Sequence, residues 1–147
     1  MQASEEFDSY RKRAYRYLWE EIEPRAEAWD AADEMPREEL WDEFAEMGFL
    51  GLSVPGEYGG LGLTTEEYVQ IEKEWAKVYG GLRVVLHAHN VCARLIAETG
   101  TKTQREEHLP AIADGDRSFA IALTEPHAGS GTDVKTMAER VDEGYLL

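Results

Sequence analysis

Through the first 113 residues apolar side chains recur at steps of three and four, and glycine or proline cuts the recurrence at a few defined places. That pattern restricts the chain to packed amphipathic helices. From about Ser4 to Ala32, Phe7, Tyr10, Ala14, Tyr17, Leu18, Ile22 and Ala26 keep helical spacing with Glu, Arg and Lys between them. Pro24 falls inside this run and lacks a backbone N–H, which predicts a kink or break. Pro36 suits a first helical position, and Leu40, Trp41, Phe44 and Met47 form one apolar face before Gly48 ends the helix. Thr64 and Glu67 have capping-box spacing, predicting a helix from Thr65 through Tyr68, Ile71, Trp75 and Val78 until Gly80-Gly81 breaks it. The next helix, about Leu82 to Thr99, is the most apolar and is expected in the middle of a bundle. Thr103 and Glu106 repeat the capping box for a short helix ending near Ala113.

Two stretches do not fit the helical pattern. Gly48 to Leu63 is too rich in glycine for a regular element, yet it carries Phe49, Leu50, Leu52, Val54 and Tyr58, which predicts an ordered, partly buried connection. After Gly115, Phe119 to Leu123 reads as a short buried strand that breaks at Pro126 into a loop of small and hydroxyl-bearing residues, ending near Asp133. A strand opening into such a loop offers fixed N–H and C=O groups, the hydroxyls of Thr124 and Ser130, and, at Gly129, a main chain that a ligand can touch. Thr136 to Val141 alternates as a strand, Asp142-Glu-Gly144 is a turn, and Tyr145-Leu-Leu147 begins a return strand. A return arm this short leaves apolar residues with unpaired backbone, so the chain is expected to be the front of a longer protein.

Thirty acidic against fifteen basic residues give a formal charge of −15, spread along the helical segments. Such a surface repels phosphate backbones and anionic lipid, which argues against nucleic-acid or membrane binding through bulk charge. Glutamate dominates the acids and lysine is scarcer than arginine, a balance suited to concentrated salt, where screening removes self-repulsion. The single cysteine, Cys92, excludes an internal disulfide and a thiolate metal cluster. The first residues lack the basic start and apolar core of a signal peptide, so the expected location is cytoplasmic.

Few residues suggest chemistry by themselves. His87 and His89 stand two apart, which on a helix points them about 200° apart and prevents them from sharing a metal ion. Gly60-Leu-Gly62-Leu-Thr-Thr65 fails the dinucleotide fingerprint, since Thr65 stands where its last glycine belongs and no strand precedes it. Val84, His87 and Val91 share one helical face, while the acids are too numerous for any pair to be singled out as catalytic.

Leu-Thr-Glu-Pro-His-Ala-Gly-Ser, Leu123 to Ser130, resembles the signature that opens the middle β-domain of the acyl-CoA dehydrogenases. Two further blocks, Met47 to Leu63 and Glu98 to Asp116, resemble that family's inter-helix segment and its approach to the flavin strand, in the family's order. The resemblance implies a mostly α fold: an N-terminal helical bundle of the acyl-CoA dehydrogenase type over residues 1–116, then the first strands of a truncated, incomplete β-domain over 117–147. It implies an FAD-dependent acyl-CoA dehydrogenase, oxidising an acyl-CoA thioester to the 2,3-enoyl-CoA. A carboxylate removes the α-proton while the β-hydrogen leaves as hydride to the flavin.

Carried over position by position, Ile121, Ala122, Leu123 and Thr124 would lie along the flavin ring, and Gly129 and Ser130 would face its pyrophosphate, Ser130 also meeting the thioester. Val84, His87 and Val91 would border the acyl pocket. No catalytic residue is assigned, because the family's glutamate base lies beyond Leu147; the chain alone would be inactive. An electron-transfer flavoprotein as acceptor and a homo-oligomer (tetramer) of the complete protein are implied as well. Within the signature, Gly131 and Thr132 are added between Ser130 and Asp133 relative to the family's Gly-Ser-Asp. A flavin-dependent oxidase or monooxygenase of the same fold, and a non-catalytic helical module that binds a partner, remain alternatives at this point.

Overall fold

The computed structural model describes residues 2–127, 129 and 133–147. Helices dominate it, in the order α1 Gln2–Tyr17, α2 Glu23–Ala32, α3 Arg37–Glu46, α4 Thr65–Val78, α5 Gly80–Thr99 and α6 Lys102–Ala113. A two-stranded antiparallel hairpin follows, β1 Glu139–Val141 and β2 Gly144–Leu146, in the register Glu139↔Leu146, Arg140↔Tyr145, Val141↔Gly144. α4 packs on α1 and on α5, and α6 packs on α5. The hairpin forms where the alternation of apolar and polar residues places it, with its first arm shorter and its second starting one residue earlier, at Gly144.

Pro24 does not break the helical run. Between α1 and α2 the chain widens into a π-turn, Leu18–Ile22, in which the Glu23 N–H donates to the Leu18 carbonyl five residues back. The proline ring crowds the carbonyl four residues before it and offers no N–H; a wider turn just ahead relieves both problems.

The glycine-rich connection is part of the core. Phe49, Leu50 and Val54 are fully buried, and Phe49 sits among the rings of Tyr10, Tyr17, Phe44 and Trp75, the last at 4.5 Å and edge-on. The segment folds back on itself through Leu61 N–H to Gly51 O, Gly62 N–H to Val54 O and Leu63 N–H to Leu52 O, at 2.8–2.9 Å. A Cβ at Gly60 would stand 2.2 Å from the Val54 carbonyl oxygen, so this turn admits only glycine. Asn90 pins the segment to α5. It accepts from Ser53 N–H at 3.0 Å and donates to the carbonyls of Phe49 and Leu86 at 2.9 and 3.1 Å.

Four expectations need correction. Gly80 and Gly81 do not separate two helices; they open α5, and Tyr79, in extended geometry, is the only residue between it and α4. α5 is not apolar-buried all round, because its buried side is Leu82, Leu86, His89, Asn90, Cys92 and Ala93 while Val84 and Leu95 remain 59% exposed. The capping box of α6 is Thr101 with Gln104, not Thr103 with Glu106, since α5 runs to Thr99 and Gly100 leaves Thr101 as the first residue able to cap. The run after Phe119 is neither buried nor a strand: Ile121 and Leu123 are about half exposed and no described strand lies alongside. Burial of an apolar run in a sheet depends on neighbours that the run itself does not encode.

Candidate functional site

The signature run is delivered from α6 by a short, firmly held connector. Arg117 N–H returns to the Ala111 carbonyl at 3.1 Å. Gly115 has φ +82°, and a Cβ there would meet Leu50 Cδ1 at 2.9 Å, so both backbone and space require glycine. Its carbonyl accepts from Trp41 Nε1 at 2.8 Å, and Ser118 Oγ accepts from Arg37 Nη2 at 3.2 Å.

The buried His89 forms the third tie. Its Nε2 lies 3.2 Å from the Ile112 carbonyl oxygen, its Nδ1 accepts from Phe119 N–H at 3.3 Å, and its ring stands edge-on to Trp41, centroids 5.0 Å apart. Burial holds its pKa below the ordinary histidine value, against the pull of the Ile112 carbonyl.

Beyond Phe119 the main chain is extended and open. No backbone hydrogen bond joins Ile121, Ala122, Leu123 or Thr124 to any described residue. The Thr124 hydroxyl donates to the Gly129 carbonyl at 3.3 Å, which bends the loop back on the run. A Cβ at Gly129 would meet nothing within 4 Å. Ser130, and the added Gly131 and Thr132, lie outside the described residues.

Glu125 closes this loop. Its carboxylate accepts from Lys135 N–H at 3.0 and 3.1 Å, from Thr136 N–H at 2.7 Å and from the Thr136 hydroxyl, with His127 Nε2 3.3 Å away. The Thr136 hydroxyl and then the Lys135 and Thr136 amides hold its pKa below the usual carboxylate range. The sequence marks this residue only as part of a motif; what it clasps lies ten residues on, beyond the reach of a periodicity argument.

A second feature lies between α4 and α5, an open groove of about 580 Å³ whose walls include Tyr68, Val69, Glu72, Arg83, Val84 and His87. Glu72 is its polar centre. It accepts from the Tyr68 hydroxyl at 2.8 Å and from Arg83 Nε at 2.9 Å, with His87 Nδ1 3.2 Å away. Burial and the Glu72 carboxylate push the Tyr68 phenol well above its ordinary pKa. The structure therefore brings Val84 and His87 together, whereas Val91, on the same face but half-buried, is not among the walls of this groove. No hydrogen bond joins the groove to the signature run among the described residues.

Of the side chains that hold these features, His89 escapes sequence reasoning, and for Trp41 the apolar spacing gives the face but not the bond to Gly115. Helical spacing separates His87 from His89 but does not tell which of the two faces α6.

Comparison with known proteins agrees with this architecture. The family profile described as "Acyl-CoA dehydrogenase, N-terminal domain" matches residues 4–116. Isovaleryl-CoA dehydrogenase, mitochondrial, of Bos taurus is 33% identical over 147 residues, covering 98% of this chain and 34% of that protein. Among solved structures, the glutaryl-CoA dehydrogenase of Mycobacterium smegmatis aligns with a TM-score of 0.84 at 27% identity, over 94% of this chain and 36% of the other. A chain from a study of the electron transferring flavoprotein of Acidaminococcus fermentans aligns with a TM-score of 0.83 at 34% identity, over 95% and 37%. The chain thus spans about a third of the length of the proteins it matches. No described helix is long and apolar enough to cross a membrane. By profile, sequence and fold, the chain belongs to the acyl-CoA dehydrogenase family, whose N-terminal domain it carries.

Proposed function

We propose that residues 1–116 form the helical domain, and 117–147 the beginning of the β-domain, of an FAD-dependent enzyme that oxidises an acyl-CoA thioester to the 2,3-enoyl-CoA. The observation that carries this reading is the exposed run from Ile121 to Thr124, whose main chain has no backbone partner among the described residues, beside a Gly129 with open space where a side chain would be. Those amides and carbonyls suit the polar edge of a flavin, and an uncrowded glycine suits close approach of its pyrophosphate. Ser130 is assigned to the same pyrophosphate and to the thioester. Bound FAD supplies the oxidising power, taking two electrons with the β-hydrogen. This chain's residues orient it: the connector from α6 sets where the run starts, and Glu125 keeps the loop from opening.

Val84, His87 and Val91 are assigned to the wall of the acyl pocket. No carboxylate of the chain is given the role of base. A structural neighbour that comes from a study of an electron transferring flavoprotein supports an electron-transfer flavoprotein as acceptor. We take the working form to be a homo-tetramer in the cytoplasm; the relative from Bos taurus carries the word mitochondrial in its name, so fractionation of the source cells is the deciding measurement.

The test uses the product of the full reading frame, purified with excess FAD. It is expected to retain flavin and to lose the oxidised flavin absorbance when an acyl-CoA thioester is added without oxygen. Because a Cβ at Gly129 meets nothing within 4 Å among the described residues, Gly129→Leu is expected to fold normally and to bind FAD about tenfold or more weakly. A folded wild-type protein that retains no flavin, or whose flavin no short, branched or long thioester reduces, overturns the reading.

A further inference from the structure

We infer that His89 is a positioning residue that fastens the start of the signature run to the helical core, and that it does so only as the neutral Nε2–H tautomer. The geometry fixes the tautomer. Nδ1 faces the Phe119 N–H, a donor, at 3.3 Å and so carries a lone pair; Nε2 faces the Ile112 carbonyl, an acceptor, at 3.2 Å and so carries the proton. A doubly protonated ring has no acceptor left. It would aim a second N–H at the Phe119 amide and place a charge among Trp41, Ile112 and Phe119, where the side chain has no exposed surface.

Phe119 is the point from which residues 121–124 start. The other ties to the connector, Trp41 to Gly115 and Arg37 to Ser118, act before it, which leaves His89 as the last described hydrogen bond between the helices and the run. The bearing of this tie on a cofactor rests on the flavin reading above; the tie itself does not.

Among the described residues no acid is hydrogen-bonded to the ring, whose partners are the Ile112 carbonyl and the Phe119 amide. The charged and titratable groups around it include Arg37, Glu38 and Asp42 on α3 and Asp116 after α6, which line one cavity with Trp41, the Arg37 guanidinium lying 5.7 Å from the Trp41 ring; Glu107 and His108 on α6; and Arg117 after α6, whose Nη1 lies 3.3 Å from Glu107 and 3.2 Å from His108. Glu107 is thus engaged by Arg117, and His108 meets Phe119 edge-on with centroids 5.8 Å apart. The lowered pKa of His89 agrees: the folded protein resists a proton that an unfolded histidine accepts near pH 6.5. Stability is therefore complete above about that pH and is lost as the pH falls from there toward the lower folded value.

The test is made on the chain itself, without flavin. Nitrogen-15 spectra of the imidazole at neutral pH are expected to show Nδ1 unprotonated and Nε2 protonated, and hydrogen exchange is expected to show the Phe119 amide protected. On acidification below about pH 6.5 that protection should fall about tenfold or more, beyond any change at a reference amide in α4. His89→Asn, which places a non-titrating oxygen near the position of Nδ1, should retain protection without this pH dependence; His89→Leu should lose it at every pH. A wild-type ring protonated on Nδ1 at neutral pH overturns the inference, as does Phe119 protection that follows pH equally in wild type and His89→Asn. Since neither readout involves FAD, this role stands even where the product of the full reading frame retains no flavin, the result that overturns the proposed function.

Discussion

Asn90 is a polar side chain in a position that a helical wheel assigns to the core, and it earns that place by satisfying backbone that nothing else reaches. Its amide serves Ser53, Phe49 and Leu86, so the glycine-rich connection is attached to α5 through one residue. Asn90→Leu keeps the volume but strands the Ser53 amide and the Phe49 carbonyl; urea unfolding should show a loss of about 3 kcal/mol. A loss below about 1 kcal/mol would mean that water or a neighbour replaces the amide. The same scale explains what the sequence conceals. Apolar spacing reports burial of apolar groups, and it is silent on buried polar residues such as His89 and Asn90, whose partners are backbone atoms brought close by the fold. Glu125 is hidden in the same way, since the Lys135 and Thr136 amides and the Thr136 hydroxyl that it accepts from are brought to it by the fold.

At the scale of elements the helices were legible because each carries its own period and its own stops, and the hairpin because its turn residues are local signals. The errors fall where two local signals compete. Thr101 and Thr103 both have a partner three residues on, and Gly100 decides for the first. Thr101→Ala should therefore destabilise the fold by about 1 kcal/mol, whereas Thr103→Ala should change it by less than about 0.5 kcal/mol, both read from thermal or urea midpoints. Equal effects would contradict the assigned cap.

The junction of α1, α2 and α3 is held by charge. Glu43 accepts from Arg25 Nη1 and Nη2 at 3.2 and 2.9 Å and from the Tyr17 hydroxyl. Arg25, and after it Tyr17, hold the Glu43 pKa below the usual carboxylate range, against burial. A folded value below the unfolded one means a contribution that is present above the ordinary carboxylate range and disappears as the pH falls through the folded value. The stability difference between wild type and Glu43→Gln should shrink on acidification across that window, measured by urea unfolding at a series of pH values. A difference independent of pH would remove the ion pair from the account.

For the whole molecule, the charge of −15 is the dominant long-range fact. The ion pairs found are mostly local or exposed, such as Arg94 with Glu98 and Lys102 with Glu106, and leave the excess of fifteen acids unopposed. Melting temperature is expected to rise steadily with KCl as screening relieves self-repulsion; a flat or falling curve would rule out adaptation to salt. The one large-scale feature that the sequence misrepresented is the exposure of the signature run and of one side of α5, because whether an apolar face is covered depends on what packs there, not on the face.

The setting of Phe49 bears on time as well as on space. Its neighbours Tyr10, Tyr17 and Phe44 precede it, but Trp75, its nearest ring, is delivered only with α4. During synthesis the aromatic nest therefore stays open on one side until α4 has left the ribosome, and a growing chain that pauses before that point presents an unsealed greasy cleft to chaperones. Completion of α4 is the moment at which the nascent protein can first close on itself.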